Sequence, residues 1–143
     1  MERDSTLKRF TDAQRDHYEL ALAEIKAGRK RSHWMWYIFP QIAGLGKTGI
    51  SVHYAIKNLQ EATRYLADQT LGFRLTEICK ALLALPGNDA YAVFGGPDDL
   101  KLYSSMTLFD SVPGAFPVFG QVLDKYFGGN RDQRTLDILN EKH

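Results

Sequence analysis

A single cysteine, Cys79, stands among 143 residues, so no disulfide can form within the chain, and cysteine use this sparse suits a reducing compartment. No apolar run approaches the ~20 residues that a bilayer-spanning helix needs. The opening Met-Glu-Arg-Asp-Ser-Thr is charged and lacks the apolar stretch of a signal peptide, so a cytoplasmic location is expected. Charge of one sign is also missing. The net charge is +1, which gives no global field toward nucleic acid or a membrane surface. His17, His33, His53 and His143 share no ligand spacing with one another or with Cys79, so neither a metal nor a cofactor is expected. There is no G-x-S-x-G elbow and no H-E-x-x-H. Residues 44–49 match G-x-G-x-x-G in letters, but Pro40 breaks the segment ahead of them and no βαβ alternation surrounds them. A phosphate loop ending in Gly46-Lys47-Thr48 would need its first glycine at position 41, which is Gln41.

What is present is an ordinary globular composition, 44% hydrophobic and 24% charged, in a length that fits one domain over 1–143 with a flexible tail over 1–9. Thr11 and Gln14 have capping-box spacing and predict a helix over 12–27, with Tyr18, Ala21, Leu22 and Ile25 inward and Gly28 closing it. Asn58 and Glu61 repeat that spacing ahead of a helix ending near Asp68. Further helices are predicted over 71–85, from 97 through Phe109, over 116–126, and after Asp132, with a single turn over 89–94. Ser32 is placed to cap a short helix over 33–38, though a buried strand fits the same letters. Val52, Tyr54 and Ile56 alternate as in a strand. The fold expected is mainly α, five to six helices in one compact domain, with room for one short two-stranded element.

Residues 29–41, Arg-Lys-Arg-Ser-His-Trp-Met-Trp-Tyr-Ile-Phe-Pro-Gln, are the most unusual stretch. Three cations, a serine and a histidine precede four aromatic rings, as at the polar mouth of a pocket. Arg29, Lys30 and Lys101 are candidates to bind negative charge. Trp34 and Trp36 are candidates to stack on a flat group, and Ser32, Gln41, Ser104 and Ser105 to orient it. Lys101, Ser104 and Ser105 lie three and four apart, on one face of a predicted helix. His33 is the candidate general base, because imidazole changes charge near neutral pH. Glu61 and Glu77 are the carboxylates to examine for proximity to it. The leading expectation is a small anionic or nucleotide-like ligand held between 29–41 and 98–105, with metal-independent hydrolysis or group transfer as the reaction class. The alternative is a non-catalytic protein-interaction module built on Trp34 and Trp36. A purely structural role for the aromatics is a third reading. Nucleic acid is disfavoured, since Arg29-Lys30-Arg31 is one short patch with no second stripe.

These residues resemble a known family. Phe10, Gln14, Tyr18, Ala21, Glu24, Ile25, Gly28, Arg29, Lys30 and the string Ser32 to Gln41 are similar to the bacterial domain-of-unknown-function family 1810, often labelled calpastatin-like. Gly44-Leu45-Gly46, Tyr54-Ala55-Ile56, Asp98 to Leu102, Ser104 to Phe109 and Phe127-Gly128-Gly129 continue the likeness over nearly the whole chain. The resemblance implies a compact, mainly helical single domain and brings no established activity, cofactor or catalytic residue. The label implies a calpain inhibitor. Inhibitors of that kind are long, polar and disordered, unlike this periodic apolar core.

Overall fold

A computed structural model describes residues 5–141. Among them a single 3-10 turn, Ser5–Leu7, leads into nine α-helices and no β-strand. The helices are α1 (Lys8–Lys26), α2 (Met35–Ile38), α3 (Gly49–His53), α4 (Leu59–Ala67), α5 (Gln69–Ala84), α6 (Ala90–Phe94), α7 (Asp98–Asp110), α8 (Val118–Phe127) and α9 (Gln133–Glu141). The count exceeds five or six because α2 and α3, of four and five residues, lie in stretches that read as ambiguous or as loop, and because the single turn expected over 89–94 is counted as α6.

The middle of α7 is buried without a break from Ser104 to Phe109, which marks it as the central helix. It packs against α4, α6, α8 and α9, while α5 joins α8 and α4 to α1. Phe109 sits among rings, 5.1 Å from Tyr65 and 5.8 Å from Phe119. Cys79 is fully buried with its sulfur 3.6 Å from that of Met106, as a small apolar residue of the core.

The first helix begins four residues earlier than its capping-box letters predict. Leu7 is buried, and the Arg9 fork grips Glu61, so the chain is already ordered through much of the stretch expected to be a tail. Residues 1–4 of that stretch, and His143, lie outside the described residues. Gln14 caps nothing: its amide donates to the Tyr37 carbonyl at 2.7 Å and to the Tyr65 hydroxyl at 3.1 Å. At α4 the cap is as predicted, with Asn58 Oδ1 accepting from Glu61 N. The expected two-stranded element shrinks to one parallel bridge, Ile42 with Ile56. Thr48 Oγ1 accepts from Ser51 N and starts α3 where Val52 would have begun a strand.

Glu61 and Arg9 close the amino-terminal end of the fold. Arg9 Nη2 is 3.0 Å from Glu61 Oε1 and 2.8 Å from the Ala55 carbonyl, Nε donates to the His53 carbonyl, and Nη1 reaches the Thr6 carbonyl and Glu61 Oε2. Burial pushes the Glu61 carboxyl up, but Arg9 and the Lys57 N–H outweigh it and hold it below its ordinary value.

Asp68 ends α4 and begins α5, accepting from Thr70 N and Leu71 N. The corner is so tight that a Cβ on Gly72 would stand 2.3 Å from the Leu66 carbonyl oxygen. Alanine in place of a helical glycine ordinarily gains about 1 kcal/mol of propensity. Here a backbone atom that cannot step aside reverses the sign. Gly72→Ala is expected to destabilise the fold by ~1–3 kcal/mol, read from the urea unfolding midpoint. A midpoint equal to or above that of the wild type contradicts the corner geometry.

Candidate functional site

Gly28, at φ +83, turns the chain out of α1. Arg29 N donates to the Glu24 carbonyl and Gly28 N to that of Ile25, the paired bonds of a Schellman ending. This ending folds residues 29–34 back over the last turn of α1, directly above the Glu24 side chain. Glu24 Oε1 accepts from Arg31 N at 2.7 Å, Ser32 N at 3.0 Å and Trp34 Nε1 at 2.9 Å, and Oε2 accepts from Ser32 Oγ at 2.6 Å. Burial pushes the Glu24 carboxyl up, yet the Ser32 hydroxyl, the two backbone N–H groups and the indole N–H more than reverse this, leaving it at about 2. Ser32 therefore orients the backbone of the segment and does not cap α2, whose N-cap Trp34 carries no side-chain cap.

The segment alternates. Lys30, Ser32 and Trp34 turn inward, while Arg29, Arg31 and His33 are exposed. Lys30 N is tied to the Val93 carbonyl at 2.7 Å, which fixes the segment to α6. Lys30 Nζ is 2.8 Å from Asp98 Oδ2 and lies 5.0 Å from the centre of the Trp34 ring. Lys101 Nζ is 3.5 Å from Asp98 Oδ1 and lies 5.0 Å from the centre of the Trp36 ring. The stretches 29–41 and 98–105 thus meet at Asp98, with two ammonium groups engaged by one carboxylate and by indole faces.

Several candidates stand elsewhere than expected. Trp34 is 1% exposed, so it offers no face to a ligand or a partner; its indole N–H is drawn down to the Glu24 carboxylate. Ser105 is fully buried and its hydroxyl has no partner among the described residues. Ser104 Oγ lies 2.9 Å from Asp132 Oδ2, which Thr135 also meets, so it secures the start of α9. Neither serine shares a site with Lys101, because the apolar demand of the central helix takes their whole face. Gln41 and Trp36 line a cavity of about 10 Å³ with Gly46, Ser51 and Tyr54, room for about one water. His33 is exposed, and its carbonyl accepts from the Tyr37 hydroxyl at 3.4 Å. Glu61 faces Arg9, and Glu77 accepts from the Tyr18 hydroxyl at 2.5 Å, so neither carboxylate is paired with His33.

A groove of about 370 Å³ lies beside the segment, lined by Arg29, Lys30 and residues Tyr91 to Gly95. Tyr91 is 65% exposed, and no described residue bonds its hydroxyl or the guanidinium groups of Arg29 and Arg31. A second groove, of about 410 Å³, is floored by Arg9 and Glu61, whose polar atoms already face one another and the surrounding carbonyls. Two residues that matter here escape the sequence reading. Glu24 is one turn from the helix end at Gly28, with its donors within ten residues, and that proximity was the available signal. Tyr91 is a ring in a short turn between Asp89 and Gly95-Gly96. No His, Cys, Asp or Glu cluster able to hold a metal occurs among the described residues. No described helix is long and apolar enough to cross a membrane.

The profile of a family described as "protein of unknown function (DUF1810)" matches residues 4–139, and the chain belongs to that family. The crystal structure of the conserved hypothetical protein Rv1873 from Mycobacterium tuberculosis is similar at 46% identity and a TM-score of 0.91, covering 94% of this chain and 96% of that one. No curated protein matches the chain. The mainly helical fold expected from the sequence is the fold found.

Because the folded-state carboxyl of Glu24 lies below its ordinary 4.5, its contribution to stability is present above pH 4.5 and is lost as pH falls toward 2. Glu24→Gln is expected to lower unfolding free energy at pH 7 by about 3 kcal/mol, the scale of hydrogen bonds to a charged group. The gap from the wild type should narrow as pH falls from 4.5 toward 2. A gap that stays constant across that range contradicts the charged four-donor seat.

Proposed function

We propose that the protein binds a small anionic ligand carrying a flat group, in the groove between Arg29 and Tyr91. The observation that carries this reading is which cations are free to act. Lys30 and Lys101 are both engaged by Asp98, whereas the Arg29 guanidinium borders a 370 Å³ groove with all its donors available. Tyr91, mostly exposed on the same groove, supplies a ring for stacking and a hydroxyl for orientation. An arginine fork suits a phosphate or carboxylate better than a lysine does, because it meets two oxygens at once.

The binding surface proposed from sequence therefore shifts by one element, from 98–105 to 91–95, while keeping Arg29 and Lys30. His33 is on the same segment but does not line this groove, so the reading is one of binding and assigns His33 no catalytic step. The protein-interaction reading has less behind it, since Trp34 is buried and Trp36 is partly covered beneath Lys101.

Adenosine monophosphate, which joins a flat ring to one phosphate, is a suitable probe for calorimetry. The wild type should bind it. Arg29→Ala and Tyr91→Ala should each weaken binding by about tenfold or more, the equivalent of one good charged or stacking contact. Equal binding by all three proteins, or none by the wild type, contradicts this reading.

A further inference from the structure

The alternation of residues 29–34 leaves a second free guanidinium beside the first. Arg29 and Arg31 both face solvent, both lack a side-chain partner among the described residues, and their Cα atoms are at most about 7 Å apart. The backbone between them is held down: Lys30 N by the Val93 carbonyl, Arg31 N and Ser32 N by the Glu24 carboxylate. Two arginines are thus displayed outward from a braced mount, where like charges gain nothing from each other. One phosphate offers three terminal oxygens, which the Arg29 fork and the Tyr91 hydroxyl largely satisfy. A second fork calls for a second anionic group.

A charge of the reverse sign stands near the Tyr91 ring. Tyr91 Cε2 and Asp99 Oδ1 lie 3.2 Å and 3.9 Å from the position that a Cβ on Gly96 would take, so a carboxylate stands near the stacking ring. A phosphate is disfavoured there and favoured toward Arg29 and Arg31. Resting on the proposed groove, we infer that its ligand is a nucleoside diphosphate or an ester of one, with the ring on Tyr91, the first phosphate at Arg29 and the second at Arg31.

The test is calorimetry of adenosine monophosphate against adenosine diphosphate, at matched ionic strength and with a chelator so that no metal bridges the phosphates. In the wild type the diphosphate should bind about tenfold or more tightly than the monophosphate. Arg31→Ala should leave monophosphate binding within about twofold and reduce the diphosphate advantage to under about threefold. Arg134→Ala, which removes an exposed cation on α9, should keep the full advantage. A wild type with no preference for the diphosphate, while monophosphate binding still depends on Arg29 and Tyr91, overturns this inference and leaves the groove reading standing. An advantage that Arg134→Ala erases as fully as Arg31→Ala reports net charge only and overturns it as well. Monophosphate binding indifferent to Arg29 and Tyr91 removes the groove reading beneath it.

Discussion

One buried carboxylate organises the unusual half of this molecule. Glu24 is 8% exposed and would be costly to bury alone, but four donors from residues 31 to 34 converge on its two oxygens. The charge-assisted bonds offset its desolvation and fix the peptide that supplies them. The same contact draws the Trp34 indole into the core, where it meets Phe39 and Phe94. Everything displayed outward by that peptide depends on the carboxylate below it.

Polar groups in this fold divide into those that are answered and those that are not. The Arg9 fork and Glu61 answer each other and three carbonyls, so the large groove above them has a closed floor. Lys125 answers the carbonyls of Leu83 and Leu85 at the end of α5. Asp98 answers two lysines. Arg29 and Arg31, side by side on a braced segment, have no such answer among the described residues. Cavity size alone would have favoured the Arg9 groove; donor availability favours the smaller one.

Much of the fold was legible in the sequence because its signals are local. Gly28 ends α1, Asn58 caps α4, and Pro97-Asp98 opens α7, each by short-range chemistry that spacing reveals. Failures occur where a distant partner decides. The Thr11-x-x-Gln14 spacing fits a cap, yet Gln14 belongs to Tyr37 and Tyr65, 23 and 51 residues away. Ser104 and Ser105 share a helix face with Lys101 by spacing, but the central position of α7 buries them. At the site, the cations, Ser32 and His33 of residues 29–33 are plain in the sequence, whereas the burial of Trp34 and the role of Glu24 follow from tertiary folding that no residue count conveys. The meeting of Lys30 with Lys101 at Asp98 has the same long-range character.

The most direct test of this account is amide hydrogen exchange at Arg31 and Ser32. Residues 29–34 contain no helix, so an ordinary exposed loop there would exchange freely. Donation to Glu24 predicts that both amides exchange only with large-scale opening, at rates like those of the α1 interior, and that Glu24→Ala exposes them. Fast exchange of both amides in the wild type would contradict the claim that a buried carboxylate holds this segment in place.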